Sequence, residues 1–204
     1  MKKIMFNDRF GLTQAVLEGR KTMTRRIIND YNIQSALEEL WEDDNVNGTD
    51  WKIILDKVAK YKVGEVVAIA ESYESLNKRG FLAPEWLDHT CEDSAGYCNK
   101  MFVRADLMPA GIKITAIRIE RLQDISDNDC IREGIIKEYH APGARNFYYV
   151  PGIYVPGIGV NRVEDVHNTP QEAFAFLMDR VSGKGTWDSN PWVFAYSFER
   201  IVLT

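Results

Sequence analysis

Four cationic side chains and two threonines fall within the seven-residue stretch RKTMTRR near the amino terminus. The cations stand at positions 20, 21, 25 and 26, with Thr22 and Thr24 between them. Adjacent cations can hold an anion, and they lower the pKa of a neighbouring lysine. A threonine hydroxyl is a poor nucleophile until a base removes its proton. The residue types therefore suit two kinds of chemistry, anion binding and the activation of a hydroxyl.

The chain as a whole is acidic, with a formal net charge of −5 over 204 residues. Non-specific binding along duplex nucleic acid needs a positively charged surface, which an acidic protein is not expected to have. We therefore expect a pocket for one base rather than a long groove. No apolar run approaches the ~20 residues of a membrane span, and the first residues lack a signal-peptide pattern, so we expect no membrane partner. Three cysteines are too few for a disulfide framework and favour the cytoplasm.

The cationic stretch must be positioned by the elements on either side of it. Residues 12–20 have a helical pattern, with Thr13 as the expected N-cap and Gly19 at the end. Residues 22–28 have a strand composition, and alternation places Thr22, Thr24 and Arg26 on one face. Met23 and Ile27 then lie on the other face.

The remaining elements predict an α+β fold. Further strands are expected at 2–6, 62–73, 112–125 and 191–203, and a slip in the alternation of 112–125 indicates a bulge. Further helices are expected at 33–43, 126–136 and 169–183. Strands and long helices do not alternate regularly, so we expect a mostly antiparallel β-barrel with peripheral helices. We predict a single domain, 1–204, with insertions at about 29–60, 75–105 and 138–168.

The last insertion contains the sequence YVPGI twice, at 149–153 and at 154–158. Its prolines and glycines exclude a helix. Two interpretations remain open: a structured loop with a local duplication, or a mobile lid over a site.

The motif Gly19-x-Lys21-x-x-Thr24-x-Arg26 resembles the signature of the ASCH domain, a family of PUA-like β-barrels. Most members have Glu where this chain has Thr24, but the small bacterial N4-acetylcytidine amidohydrolases of the family also have Thr. The segments 117–135 and 183–199 are similar to those of longer ASCH proteins encoded by phages and prophages. Together the similar segments cover roughly half of the chain.

The resemblance implies a catalytic set of Lys21, Thr24 and Glu133, which would remove an acyl group from the exocyclic nitrogen of cytidine. Thr24 would be the nucleophile and Lys21 its base, which requires a neutral lysine and hence a pKa far below ~10.4. Glu133 would hydrogen-bond the cytosine amine or carry the proton to the leaving nitrogen. Alternation places Lys21 off the Thr24 face, so it must reach round the end of the strand.

Five further residues are candidates for substrate binding. Arg20 and Arg26 could hold substrate oxygens, and Trp187 could stack on a base, although core packing is the commoner fate of a tryptophan. Glu71 and Tyr73 end a predicted buried strand, where a carboxylate needs a partner or an opening.

We expect no metal and no cofactor. His89, Cys91 and Cys98 offer three ligands without a CxxC pair, and structural zinc prefers four. Cys130 is expected to be a small core residue.

Three functions remain open at this point. The first is recognition of a nucleobase or nucleoside, with or without hydrolysis. The second is a non-catalytic module that binds single-stranded RNA or a modified base. The third is a structural or regulatory phage protein without a small ligand. The sequence does not indicate the oligomeric state.

Overall fold

The computed structural model describes residues 1–42, 57–81, 94–138, 146–152, 154–155, 159–160 and 166–203. Its strands are β1 (Lys2–Ile4), β2 (Met23–Ile27), β3 (Val66–Ile69), β4 (Ala110–Arg121), β5 (Ile136–Glu138), β6 (Phe147–Tyr149), β7 (Tyr154–Val155), β8 (Gly159–Val160), β9 (Val166–His167) and β10 (Trp192–Val202). Its α-helices are α1 (Leu12–Leu17), α2 (Tyr31–Glu42), α3 (Tyr73–Lys78), α4 (Asp127–Arg132), α5 (Pro170–Ser182) and α6 (Thr186–Ser189). Three 3-10 turns span Lys100–Phe102, Ala105–Leu107 and Leu122–Asp124.

All five predicted strands lie in one sheet, in the order β1-β3-β4-β10-β2. Three of the four pairings are antiparallel, and β1 pairs with β3 in parallel. The α+β class is therefore confirmed, and so is the mostly antiparallel sheet. The pairings of the described strands do not close this sheet into a barrel, and β1 and β2 are its two edges.

The long central strands carry the predicted bulge. Ser197 of β10 pairs with Ala116 of β4, but the next residue, Phe198, pairs with Ile114. Thr115 is thus an extra residue without a partner across the ladder, which bends β4 and increases its twist. The slip in the hydrophobic alternation of the sequence marks this position.

The helices pack their apolar faces against the sheet to form the main core. Large side chains that are fully buried come from the centre of the sheet and from α5, among them Trp192, Tyr196, Phe174 and Ile112. Burying side chains of this size contributes roughly 1.5–3 kcal/mol each relative to leaving them exposed. A smaller cluster, which includes Ala68, Tyr73 and Met108, packs beyond β3.

The helix caps follow the sequence in two cases out of three. Ser126 caps α4 by accepting a hydrogen bond from the Asp129 N–H at 3.2 Å, as predicted. Thr169 caps α5 in a reciprocal capping box with Glu172. The prediction that Thr13 caps α1 is wrong, because its hydroxyl donates to the Phe6 carbonyl and to the Asp8 carboxylate, and Gly11 precedes the helix instead.

Two segments contain regular structure that the sequence did not indicate. Tyr73 begins α3 rather than ending a strand, because the Ser72 hydroxyl caps that helix. The insertion near 138–168 contributes β6 and β9 to a second sheet, in the order β5-β6-β9, and β7 pairs with β8. Residues 153 and 156–158 of the YVPGI repeat lie outside the described part of the chain, so the lid remains a prediction.

Gly152 fixes the first copy of that repeat against the loop before α1. Its φ is +84°, and a Cβ there would lie 2.8 Å from the Arg9 carbonyl oxygen. Only glycine allows the two backbones to approach this closely. Across the described residues, every helix is too short or too polar to span a lipid bilayer.

Candidate active site

Lys21 and Glu133 meet in a buried ion pair although 112 positions separate them. Lys21 lies in the connection between α1 and β2, where its N–H donates to the Ala15 carbonyl at 2.9 Å. Glu133 is the C-cap of α4. The Lys21 Nζ donates to Glu133 Oε2 at 2.5 Å and to the Glu133 carbonyl at 2.7 Å. The two residues are 2 % and 3 % exposed. The lysine thus reaches round the start of the strand, as the prediction required.

Arg25 holds the other oxygen of the same carboxylate. Its Nη1 donates to Glu133 Oε1 at 3.1 Å, and its remaining N–H groups reach Glu120 at 2.5 Å and Asp129 at 3.2 Å. The Arg25 side chain is fully buried, so these three carboxylates replace its lost hydration. Sequence reasoning missed this role. The available signal was strand alternation, which places Arg25 on the face opposite Thr24.

Two more arginines complete a charged cluster around α4. Arg118 pairs with Asp129 at 2.6 Å, and Arg132 pairs with the same residue at 3.1 Å. Arg132 also donates to the Thr22 hydroxyl at 3.3 Å, which ties α4 to the start of β2. The cluster contains four cations and three carboxylates, so its net charge is positive when all of them are ionised.

Burial lowers the pKa of the Lys21 ammonium, and the charge and hydrogen bond of Glu133 oppose that shift. The charges of Arg26 and Arg25 lower this pKa further. In the folded protein, burial and neighbouring cations therefore lower the pKa of Lys21, as expected from the sequence. Burial alone would raise the pKa of Asp129, but its ion pairs with Arg118 and Arg25 lower it overall, so this carboxylate stays ionised.

An open cavity of about 400 Å³ lies beside this pair. Lys21, Thr24, Arg26 and Glu133 line it together with Arg25, so the structure brings the three predicted catalytic residues and one predicted substrate contact to a single place. Helix α5 supplies the apolar wall, which consists of Phe174, Leu177, Met178 and Val181. The cavity volume falls within the roughly 300–1,000 Å³ that is typical of small-molecule sites.

Thr24 lies in the middle of β2, opposite Tyr196 of β10, and is 4 % exposed. Within the described part of the chain its hydroxyl makes no hydrogen bond, and in particular none to Lys21. The expected contact between nucleophile and base is therefore absent among these residues, because Glu133 engages the lysine amine. The hydroxyl remains available to a ligand.

Arg26 points to the same side of β2 as Thr24. Its Nη2 donates to the Met5 carbonyl at 2.7 Å, beyond the end of β1, and its guanidinium lies 5.7 Å from the centre of the Phe6 ring. The buried Nε has no hydrogen-bond partner among the described residues. This side chain bridges the two edges of the central sheet.

Arg20 and Trp187 lie elsewhere. Arg20 is on the surface, where it pairs with Glu18 at 2.7 Å. Trp187 is part of α6 and packs edge-to-face on Phe174 with ring centres 6.3 Å apart. Trp187 therefore has the core-packing role, not the place in the cavity that stacking on a base requires.

Glu71 and Tyr73 are likewise separate from the cavity. Glu71 pairs with Arg79 of the chain segment after α3, and its burial raises its pKa against the opposing charge of that arginine. The Tyr73 hydroxyl accepts a hydrogen bond from the Arg104 N–H at 2.9 Å within the smaller core cluster. The Glu71 carboxylate thus has Arg79 as the cationic partner that its burial requires, and Glu71 does not line the cavity.

The described cysteines and histidines do not form a metal site. No group of three metal-binding side chains occurs among the described residues. His89 and Cys91 lie outside those residues, and Cys98 is exposed. Cys130 is fully buried in the main core, as expected, and burial raises the pKa of its thiol to about 12.

Comparison with known proteins gives no relatives: no family model, no curated protein and no solved structure matches this chain. The resemblance to the ASCH domain therefore stays a prediction, and the case for a function depends on the geometry of the cavity.

Proposed function

We propose that the cavity between β2, α4 and α5 recognises a single nucleobase or nucleoside and hydrolyses an N4-acylated cytidine. The observation that carries the proposal is the buried ion pair of Lys21 and Glu133, whose Nζ and Oε2 atoms lie 2.5 Å apart, in a cavity that Thr24 also lines. A buried lysine with a lowered pKa, paired with a carboxylate and next to a free hydroxyl, is the combination that an amide hydrolase needs.

The proposed reaction begins with proton transfer from Thr24 to a neutral Lys21. The Thr24 oxygen attacks the acyl carbon, and the carbon–nitrogen bond to the base breaks as Lys21 gives its proton, directly or through Glu133, to the leaving nitrogen. Water then attacks the ester on Thr24 as Lys21 takes a proton from it, and the bond between the acyl carbon and the Thr24 oxygen breaks as Lys21 returns that proton to the Thr24 oxygen. The sum is one water consumed, with cytidine and a carboxylic acid released.

The two arginines closest in sequence to Thr24 support this reaction sequence. Arg25 and Arg26 disfavour a further positive charge on Lys21, which promotes the neutral amine. Substrate entry must displace the hydrogen bond between Lys21 and Glu133, and proton transfer within this pair would release the amine as a base.

We also propose that the central sheet is an incompletely closed PUA-like barrel, with the cavity at the opening. The support is the approach of the two edges, since Arg26 of β2 bonds the Met5 carbonyl at the end of β1. An experimental structure in which β1 and β2 diverge across this opening would contradict the barrel.

The first experiment is an assay of N4-acetylcytidine hydrolysis by the wild type and by Thr24→Val, Lys21→Met and Glu133→Gln. Each change should reduce kcat/KM by at least about a hundredfold, and the double change Thr24→Val with Lys21→Met should cost little more than one of them. The matched control is Thr115→Val, which removes a threonine hydroxyl at an exposed position of β4. An unaffected Thr24→Val enzyme would contradict the mechanism.

One observation favours a non-catalytic binding module instead. Both hydrogen bonds of the Lys21 amine go to Glu133, and none reaches Thr24 among the described residues. A binder predicts no turnover but measurable affinity for a nucleoside or single-stranded RNA. In that case Arg26→Met should weaken binding while Thr24→Val changes it little, because a hydroxyl contributes less than a cation to holding an anion.

A further inference from the structure

A second cavity of about 320 Å³ adjoins the first one on the other side of Arg26. Arg26 lines both cavities, as do Met5, Ile27 and Asn29, so the two cavities are neighbours at the opening between β1 and β2. The candidate active site makes no use of this second space.

The second cavity combines an apolar interior with a cationic rim. Its walls include Ile4, Ile28, Ile33, Tyr61, Phe194 and Tyr196. Lys60 stands at the exposed rim, with its amine 5.4 Å from the centre of the Tyr61 ring. Asp30 is the one acidic residue among the described residues that line the cavity, and its carboxylate already accepts the N–H groups of Asn32 and Ile33 at the start of α2. The space thus suits a planar apolar group with negative charge close by.

Arg26 differs from its neighbour Arg25 in what surrounds its charge. Arg25 is paired with Glu120, Asp129 and Glu133. Arg26 forms no ion pair with any described residue, and its only hydrogen bond there is to the Met5 carbonyl. Burial lowers the pKa of the Arg26 guanidinium, against the opposing electrostatic effects of Tyr61 and Glu133. An anion between the two cavities would supply the missing partner.

We propose that the second cavity is the subsite for the nucleotide next to the target base, with Arg26 holding the phosphate that links the two. The ligand is then a base within a single-stranded oligonucleotide rather than a free nucleoside. This inference rests on the proposed function, because it takes the first cavity as the site of the target base. A free nucleoside would leave the second cavity empty and would bring no anion to Arg26.

Calorimetric titration can test the subsite with three ligands: N4-acetylcytidine, its monophosphates, and dinucleotides in which a phosphodiester joins it to uridine on either side. The monophosphate of the correct orientation should bind about tenfold tighter than the nucleoside, since a charge-assisted hydrogen bond is worth about that factor. The matching dinucleotide should bind tighter again. The affinity of the dinucleotide should fall more steeply with salt than that of the nucleoside, because the dinucleotide carries a negative charge and the nucleoside does not.

Variants separate the two contributions. Arg26→Met should abolish the gain from the phosphate, whereas Arg200→Met, at an exposed position of β10, should retain it. Ile33→Trp fills the second cavity from α2 and should abolish the gain from the second base. Lys60→Glu reverses the charge at the rim and should weaken dinucleotide binding. The control is Lys113→Glu, at an exposed position of β4. Circular dichroism melting of each variant reports whether it folds.

The outcomes distinguish the two proposals. If the nucleoside binds and no dinucleotide binds tighter, the second subsite is overturned while the nucleoside site stands. A gain that survives both Arg26→Met and Ile33→Trp also overturns it. If neither nucleoside nor dinucleotide binds, both proposals fail.

Discussion

Lys21 is a buried cation, and Glu133 is its one carboxylate partner among the described residues. Removing one member of a buried pair leaves the other charge without compensation, which costs more than the net value of the pair. The carboxylate also has a second cation, Arg25, so the two variants of this pair are not equivalent. Losing Glu133 leaves Lys21 without a carboxylate partner among the described residues, whereas losing Lys21 leaves Glu133 still paired with Arg25.

We therefore expect Glu133→Gln to lower the free energy of unfolding by about 3 kcal/mol at neutral pH. The double variant Lys21→Met with Glu133→Gln should recover much of this loss, since no uncompensated lysine remains. Urea unfolding measures both values. Glu199→Gln, whose side chain is 58 % exposed, is the control and should change stability by less than about 0.5 kcal/mol. A Glu133→Gln protein as stable as the wild type would contradict this account of the pair.

The same variant has a predicted pH dependence. The pKa of Lys21 is lowered below 10.5 in the folded protein, so between these two values the unfolded chain binds the proton more tightly. Stability from this residue therefore rises with pH through that window. Without Glu133, the attraction that raises the pKa of folded Lys21 is lost, so this pKa falls further. The pH range over which stability rises then becomes wider. The stability gap between wild type and Glu133→Gln should narrow as the pH rises from neutral toward about 10.

At the scale of elements, α4 sets the position of Glu133, because the residue is the C-cap of a helix only six residues long. Ser126→Ala removes the N-cap and should cost about 1 kcal/mol of stability. It should also lower turnover or nucleoside affinity, since fraying of α4 displaces the carboxylate from Lys21. Ser72→Ala is the matched control, because that hydroxyl caps α3 with the same 3.2 Å hydrogen bond, remote from the cavity. Equal effects of both changes on the site would contradict the role of α4.

The elements that sequence predicted correctly are those with local signals. Alternating β-branched residues identified the strands of the central sheet, and Ser126 and Thr169 marked their helices through caps that act within one turn. The prediction for Thr13 failed because two acceptors from the preceding loop, the Phe6 carbonyl and the Asp8 carboxylate, compete for its hydroxyl. Strands β6 and β9 were missed because segments of two or three residues show no measurable period.

The site shows the same division between local and distant information. Nothing in the composition or periodicity of the chain connects Lys21 with Glu133, and only the family resemblance paired them. The network around Arg25 depends on Glu120 and Asp129, which tertiary contacts alone bring to β2. Trp187 and Glu71 were candidates for substrate binding because of their residue types. In the folded protein, Trp187 packs on Phe174 and Glu71 pairs with Arg79 instead.

For the molecule as a whole, the central sheet predicts how stability is distributed. Strand β10 pairs along its length with β4 and also with β2, whereas β1 has one described neighbour. Amide hydrogen exchange should therefore be slowest at the middle of β10, near Ala195 and Tyr196, and faster at Lys2–Ile4. Mass spectrometry of exchanged peptides measures this directly. Protection of β1 equal to that of β10 would mean that the sheet continues past its described edge.

Each of the two edges of the sheet carries a pair of adjacent cations, Lys2 and Lys3 on β1 and Arg25 and Arg26 on β2. An open strand edge invites a strand from another molecule, and charged residues are the common protection against such intermolecular pairing. Of the two arginines on β2, Arg25 is fully buried among carboxylates, so Arg26 is the one whose charge can act at this edge. We expect Arg26 to oppose aggregation through β2, so the chemistry of the cavity and the colloidal stability of the protein depend on the same side chain.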